Sequence, residues 1–458
     1  MIKTIKNFLI IFVSVLVGGS AVYLFMVYQS DYAKMYRAID MIESQYIEQT
    51  SRSQLIDGAI EGMLQSLEDP YTSYMDQDEA QQFYENIHSS FEGIGATLEE
   101  VDGKIVIVSP LKGSPAEEAG LKPGDIIVKI GEIELDGMKL HEAIPLIRGA
   151  KGTIALITVY REDIAAELQF SIVRDTIPIN TVYSEITDNH VGVIRIASFA
   201  ESTAQEFEAA VNELLNQGMK GVVIDVRQNP GGLTDSVEAI ASMILKEGSV
   251  ITQFESRNEP TRIMKSNFKD VGIHSLPIAV LIDGGSASAA EILAGALQQA
   301  GGFKLFGEKT FGKGTAQINV PFPDQSSMKY TVARWLTPNG TSIDKAGLIP
   351  DFEVALPDYA EVKPLDPKVS WQQEQYSNEI RSAQIMLRAL GFDPNREDGF
   401  FDSRTREKLQ QFQQTHQLAD SGVLEGETTA KLMTEIRNLI IANDTQQIAA
   451  IQWILDQL

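Results

Sequence analysis

Gly284-Gly285-Ser286-Ala287-Ser288-Ala289-Ala290-Glu291 follows the apolar run Pro277-Ile278-Ala279-Val280-Leu281-Ile282 and leads into a helical pattern. A serine at such a strand-to-helix turn has its hydroxyl free to point outward, which suits a nucleophile. A second strand, Phe303-Lys304-Leu305-Phe306-Gly307, then delivers Phe311-Gly312-Lys313-Gly314-Thr315-Ala316-Gln317. The lysine stands between two glycines, where backbone approaches closely and an amine reaches a neighbouring side chain. Upstream, Val191-Gly192-Val193-Ile194-Arg195-Ile196, a helical stretch over residues 204–217 and Gly221-Val222-Val223-Ile224-Asp225-Val226 alternate strand with helix. That alternation predicts a layered α/β core, and the two motifs on it predict a serine-lysine peptidase.

Arg227-Gln228-Asn229-Pro230-Gly231-Gly232-Leu233 follows the second of those strands. Paired glycines free backbone N–H groups to face a ligand, and a helix starting near Thr234 adds the positive end of its dipole. We expect the oxyanion hole here, built from Gly231 or Gly232 together with the N–H of Ala289.

The order and spacing of these pieces resemble the C-terminal processing peptidases, also called tail-specific proteases, whose Ser-Ala-Ser-Ala and Phe-Gly-Lys-Gly motifs look like those above. The resemblance runs over about residues 32–357. It implies Ser288 as nucleophile, Lys313 as general base and Gln317 as the partner that orients the lysine. Ser286 shares the turn and is the rival nucleophile; the resemblance favours Ser288. A lysine with a reference pKa of roughly 10.4 takes a proton near neutral pH only if its ammonium form is disfavoured. Burial does that, and we expect a closed, partly apolar pocket with neighbours such as Phe311. The neutral amide of Gln317 accepts a hydrogen bond from the lysine without restoring its charge. This chemistry calls for no metal and no cofactor.

From residue 91 to 175 short strands with glycine punctuation take over. Gly93-Ile94-Gly95-Ala96, Ile105-Val106-Ile107-Val108 and Leu121-Lys122-Pro123-Gly124-Asp125 resemble a PDZ domain. In that fold a glycine-rich loop offers N–H groups to a terminal carboxylate, and the adjacent strand pairs with the last residues of a peptide. Gly93, Ile94, Gly95 and Ala96 are therefore the candidate peptide-end loop. Arg148, in Leu146-Ile147-Arg148-Gly149-Ala150-Lys151-Gly152-Thr153, reads either as a substrate sensor that pairs with the protease body or as a solvated charge after a helix.

The chain of 458 residues carries 38 basic against 63 acidic side chains, a net charge of −25, with no basic patch rich enough to track a phosphate backbone. On that ground we expect no nucleic acid among its partners. Zero cysteines exclude disulfides and thiolate nucleophiles, and the 5 histidines are scattered without metal spacing. Residues 8–28 form a mostly apolar stretch long enough to cross a bilayer, preceded by Lys3 and Lys6. We expect an uncleaved single-pass anchor in the cell membrane with the remainder extracytoplasmic; the competing reading is a cleaved signal peptide.

Beyond the core, Asp398-Gly399-Phe400-Phe401-Asp402-Ser403-Arg404-Thr405 is echoed by Asp420-Ser421-Gly422-Val423-Leu424-Glu425-Gly426-Glu427-Thr428. The duplicated pattern resembles the three-helix peptidoglycan-binding-like module. Its residue types suit turns and helix caps, so it indicates the fold and leaves wall binding open. Ile448, Ile451, Leu455 and Leu458 lie along one stripe of a terminal helix that suits either burial within the chain or homodimerisation.

The expected organisation is multidomain α/β. An anchor over residues 1–30 precedes a helical region over 31–90, the PDZ domain over 91–175 and the protease core over 176–357. A linker over 358–375, the peptidoglycan-binding-like module over 376–440 and a C-terminal helix over 441–458 complete it. The partners this implies are proteins or peptides with exposed C-terminal tails. The competing function is a membrane-tethered scaffold that binds peptide ends and cell wall, which has no need of serine, lysine and glutamine at these positions.

Overall fold

A computed structural model describes residues 31–458, which fall into two compact units, 31–83 with 317–332 and 84–316 with 333–458. The anchor expected over residues 8–28 lies outside the described residues. Among the described residues no helix is long and apolar enough to cross a membrane.

The first unit carries helices α1 (Asp31–Gln45) and α2 (Arg52–Gln65), the short strand β1 (Ser73–Met75) and the start of α3 (Gln77–His88). Ser51 starts α2 with a reciprocal cap: its hydroxyl accepts from the Gln54 N–H at 3.2 Å, while its own N–H donates to Gln54 Oε1 at 3.1 Å. The Asp69-Pro70-Tyr71-Thr72 turn closes as proline spacing predicts, with the Thr72 N–H on the Asp69 carbonyl at 3.1 Å. β1 pairs antiparallel with residues 327–329 of the hairpin that completes this unit.

The second unit opens with the PDZ domain. Strand β2 (Ser90–Gly93) pairs with β9 (Asp175–Pro178), which closes the domain onto its own entry. Between them lie β3 (Ala96–Val101), β4 (Lys104–Pro110), the one-turn helix α4 (Pro115–Glu118), β5 (Ile126–Ile130), β6 (Ile133–Glu134), helix α5 (Leu140–Ile147), β7 (Ile154–Arg161) and β8 (Ala166–Val173). The sheet order β3-β4-β5-β7-β8 leaves β3 on an edge. Asp125, buried, is gripped by Arg161 at 2.7 Å and accepts from the Lys122 N–H, so the Leu-Lys-Pro-Gly-Asp element is a turn locked by an internal ion pair.

The protease core is a six-stranded sheet of order β10-β11-β12-β15-β16-β19: β10 (Val182–Ile186), β11 (Val191–Ile196), β12 (Gly221–Asp225), β15 (Ile278–Ile282), β16 (Lys304–Gly307) and β19 (Phe352–Glu353). All neighbours are parallel except β10 with β11. Alternation decides the layers. Val222, Ile224, Ile278, Val280 and Ile282 face a core shared with α6 (Thr203–Asn216), α7 (Thr234–Ile244) and α8 (Ala289–Gln299). Val223, Ala279 and Leu281 face the opposite side. A strand buried on both faces reads as an unbroken apolar run, as residues 278–282 do. Outside this sheet, β13 (Val250–Ser256) pairs with β14 (Arg262–Lys265). The strands β17 (Thr315–Pro321) and β18 (Ser327–Leu336) follow, and residues 333–336 pair with β13.

The C-terminal module has the three expected helices, α9 (Asn378–Ala389), α10 (Ser403–Thr415) and α11 (Gly426–Ala442). Its sequence repeat has a physical basis. Gln384 donates to the Phe400 carbonyl and Thr405 hydroxyl and accepts from the Gly399 N–H. One repeat later, Gln413 does the same with Val423, Thr428 and Gly422. The linker expectation over 358–375 is corrected: Leu365 is buried in the module, and Tyr359, Val362 and Trp371 are partly buried against the same core, because packing there removes their apolar surface from water.

The terminal helix α12 (Thr445–Leu455) packs on the second face of the protease sheet, where Ala450 and Ile454 meet Val191, Val193, Val223, Ala279, Leu281 and Phe306. Internal burial is therefore the outcome, on a different stripe from the expected one. Gln446, Ala450 and Ile454 point inward, Ile451 and Leu455 sit half-buried, and Ile448 and Leu458 are exposed.

Candidate active site

The loops that leave the carboxyl ends of β12, β15 and β16 carry Gly231–Gly232, Ser288 and Lys313 in turn, and in open parallel sheets that edge is where ligands bind. Ser288 caps α8 with φ 55° and ψ −113°, a conformation that side chains disfavour and that the surroundings must enforce. Ser286 lies fully buried, its hydroxyl donating to the Val226 carbonyl at 2.8 Å and accepting from the Asp283 N–H at 3.0 Å. It braces the turn, and Ser288 is the serine that stands partly exposed.

One residue joins the motifs. Glu291 is fully buried, and its carboxylate accepts from the Ser288 N–H (2.8 Å), the Lys313 N–H (2.9 Å), the Gly312 N–H (2.7 Å) and the Thr310 hydroxyl (2.6 Å). The first two meet the same oxygen, so serine elbow and lysine loop are fixed to each other through it. The Lys313 carbonyl accepts from the Trp335 indole N–H at 2.8 Å, which pins the loop from its other side. At Gly312 φ is 90°, and a Cβ would lie 2.8 Å from the Gly347 nitrogen. Phe311, expected among the apolar neighbours of the lysine, is 54 % exposed, whereas Gly312 and Gly314 on either side of Lys313 are buried.

The glycine turn lies against the serine. A Cβ on Gly231 (φ 108°) would stand 2.9 Å from both the Ala287 carbonyl oxygen and the Ser288 Cβ, and 3.0 Å from the Ala289 nitrogen. Asn229, fully buried, holds this approach: its side-chain oxygen accepts from the Gly231 N–H at 2.8 Å and its carbonyl accepts from the Ala287 N–H at 2.9 Å. The Gly231 N–H is thereby used up. The bridge between Phe199 and this turn runs through the Gly231 carbonyl and the Leu233 N–H, so neither the Gly232 nor the Ala289 N–H meets an acceptor among the described residues. Sequence reasoning passed over Asn229 and Glu291, although Ser288-x-x-Glu291 has the spacing of a capping box.

Gln317 belongs to the first unit. Its side-chain nitrogen donates to the Thr331 hydroxyl at 3.2 Å, which donates to Asp69 at 2.6 Å; Asp69 also accepts from the Thr72 hydroxyl at 2.7 Å. A carboxylate only accepts, so the Thr331 proton goes to Asp69 and its lone pair faces Gln317. The amide of Gln317 is oriented by that chain.

In the PDZ domain Gly93, Ile94, Gly95 and Ala96 form the turn from β2 into β3 and line a cleft of about 140 Å³ with Leu140, Ile144 and Ile147 of α5. Arg148 stands at this cleft, its guanidinium 5.0 Å above the Phe91 ring and 2.6 Å from Glu85 on α3.

A hydroxyl on a strained elbow, backbone donors beside it and a lysine loop locked to the same carboxylate are suited to transferring an acyl group to serine and on to water, the work of a serine protease. Residues 190–354 match the model of peptidase family S41, 106–161 a PDZ domain, 376–432 a putative peptidoglycan binding domain and 21–79 the N-terminal domain of the activating protease CtpB. The carboxy-terminal processing protease CtpA of Bacillus subtilis is 43% identical over 92% of this chain and 90% of its own. CtpB of the same organism is 41% identical over 88% and 84%. A solved photosystem II D1 C-terminal processing protease shares 28% identity over 72% of this chain and 89% of its own, with a TM-score of 0.41. The chain belongs to the S41 family of carboxy-terminal processing serine proteases.

Proposed function

We propose that the protein is a membrane-anchored, extracytoplasmic endopeptidase that takes substrates by their C-terminal tails and cleaves them through Ser288, Lys313 and Gln317. The observation that carries this is the shared carboxylate of Glu291, which ties the backbone of the serine to that of the lysine. Lys313, uncharged, takes the proton of the Ser288 hydroxyl as its oxygen attacks the scissile carbonyl. The N–H groups of Gly232 and Ala289 receive the oxyanion, since the Gly231 N–H is committed to Asn229. The ammonium returns the proton to the departing amine. Water then gives a proton to Lys313 and its hydroxide to the acyl carbon, and the serine regains its hydrogen. Gln317 accepts a hydrogen bond from the lysine and keeps it directed.

The PDZ cleft supplies recognition: β3 is an open edge for a peptide strand, and the glycine turn offers N–H groups to its carboxylate. The apolar stretch at 8–28 supports anchoring, and the duplicated C-terminal module supports contact with peptidoglycan.

Labelling of the full chain by a fluorophosphonate probe, beside cleavage of an unstructured peptide, tests the assignment. Ser286→Ala retains labelling; Ser288→Ala and Lys313→Ala lose it together with cleavage. Labelling that survives Ser288→Ala overturns the nucleophile, and cleavage that survives Lys313→Ala overturns the base.

A further inference from the structure

The oxyanion turn begins at an arginine that the reaction above does not use. Arg227 is largely buried at the end of β12, and its five N–H hydrogens are matched by five acceptor contacts. Nε and Nη2 donate to the two oxygens of Asp225 at 3.0 and 2.8 Å, and Nη1 and Nη2 donate to those of Asp444 at 3.0 and 2.7 Å. Nη1 also donates to Gln446 Oε1 at 2.9 Å. Asp225 in turn accepts from the Arg227 N–H at 2.9 Å, so guanidinium and backbone are held by one carboxylate. Three of these five bonds come from the first turn of α12, more than 200 residues further along the chain.

That first turn is itself fixed to the core. Gln446 is fully buried and donates to the Val354 carbonyl at 2.9 Å, and the Thr445 hydroxyl donates to the Ala355 carbonyl at 2.7 Å. The chain thus leaves the sheet at residues 354–355, builds the three-helix module and returns to the point of departure. What it brings back is a pair of acceptors for Arg227.

We propose that Asp444 and Gln446 are positioning residues of the protease: through Arg227 and Asp225 they hold the strand end from which the Gly231–Gly232 turn springs. The proposal rests on the oxyanion role given to that turn. Without Asp444 the guanidinium keeps Asp225 but loses two buried acceptors, and it must shift to find water. A shift at Arg227 is passed by the Asp225 carboxylate to the Arg227 N–H and so to the turn. Loss of one oxyanion donor costs about 10²- to 10³-fold, and misplacement of reacting groups by about 1 Å costs on the order of 10²-fold. The ground-state hold on the peptide does not pass through these groups, so KM is not the quantity that moves.

Full-chain Asp444→Ala, Asp444→Asn, Asp444→Glu and Gln446→Ala are compared with the parent and with Gln452→Ala, on the exposed side of the same helix. Cleavage of one peptide gives kcat and KM, and a boronic acid of the same sequence, whose adduct with serine is tetrahedral, gives an inhibition constant. For Asp444→Ala, kcat falls about 10- to 100-fold, boronate inhibition weakens by a similar factor, and KM stays within about twofold. Asp444→Glu recovers part of both, and Gln452→Ala matches the parent. Because Asp444→Asn keeps volume and one acceptor, it gives the same reading at a reduced amplitude should the alanine variant not fold. An unchanged kcat in a folded Asp444 variant overturns the proposal, as does a loss that appears in KM while boronate binding is preserved. Ser288→Ala in the same assay separates the two readings: its activity, if kept, removes the nucleophile whatever Asp444 does, and its inactivity beside a fully active Asp444→Ala removes only the role given to α12.

Discussion

Replacing Glu291 with glutamine keeps its volume but turns one of two acceptor oxygens into a donor. That oxygen serves either Ser288 and Lys313 or Thr310 and Gly312, so two of the four donors around it lose their partner. Hydrogen bonds to charged groups are worth about 1.5–3 kcal/mol each, and an orphaned buried donor costs about 1–3 kcal/mol. Glu291→Gln is expected to lower unfolding stability by about 2–4 kcal/mol in urea titration and to cut kcat by at least about 100-fold, because serine and lysine lose their common anchor. A second expectation concerns direction rather than strength. Asp69→Asn leaves one acceptor oxygen; with that oxygen kept by the Tyr71 N–H, Thr331 meets a donor where it had an acceptor, its hydroxyl donates to Gln317, and the Gln317 amide reverses and turns its nitrogen where the proposed triad needs oxygen. Activity at neutral pH falls at least about tenfold in Asp69→Asn, while Thr331→Ser, which keeps the hydroxyl, stays near the parent. A pH–kcat profile checks this, since a donor facing the lysine changes the pH at which the amine becomes uncharged. The strand-to-helix turn of Ser288 and the loop of Lys313 were legible because each motif is contiguous and its residue types have few other uses in that order. Glu291 and Asp69 were not, because besides near neighbours they bond residues 19–22 and 262 positions away, and the sequence gives no distance across those separations.

Elements were read well where a local pattern has one solution. The core strands, the paired-glycine turn and the three helices of the C-terminal module formed where apolar periodicity and turn residues put them. The terminal helix has apolar residues on more than one stripe, and the stripe that is buried begins with a glutamine, Gln446, whose amide is satisfied by Arg227 and Val354; apolar counting cannot rank such a residue as core. The segment over 358–375 misled in the same way, since Pro364 and Pro367 punctuate a stretch that nonetheless seats Leu365. The module also carries a pH dependence. The Asp398 carboxyl is held down at about 2, first by its hydrogen bonds from Arg396 and then by the Phe400 N–H. A carboxyl depressed on folding contributes stability above its ordinary value near 3.9 and loses it as the pH falls through the folded value. The calorimetric transition of the module is therefore expected to move to lower temperature as pH drops from about 4 to about 2, and Asp398→Asn to flatten part of that slope. Equal slopes in parent and variant would remove Asp398 as the cause.

Across the whole chain, the cleft proposed to take peptide ends has to be related to the proposed nucleophile. The cleft between β3 and α5 is apolar except for Arg148, and that arginine is already engaged by Glu85, which is the more buried of the two. A peptide that ends in a free carboxylate brings the same charge as Glu85 to the same guanidinium, so the two compete or share, and a bidentate guanidinium can hold both. An amidated peptide brings no such charge and leaves the pair as it is. Peptides identical but for a free or amidated end are therefore expected to differ in KM by about tenfold in favour of the free acid, with kcat for a saturating peptide much closer. Arg148→Ala should bring the two KM values to within about twofold of each other by weakening the free acid alone, and Glu85→Gln should widen the gap by freeing the guanidinium from its internal partner. The signs oppose each other, so a loss of folding common to both variants cannot imitate the pattern. Equal cleavage of free and amidated peptides by the parent would show that recognition ignores the carboxylate, and the PDZ domain would then have to select by the apolar side chains that β3 and α5 admit.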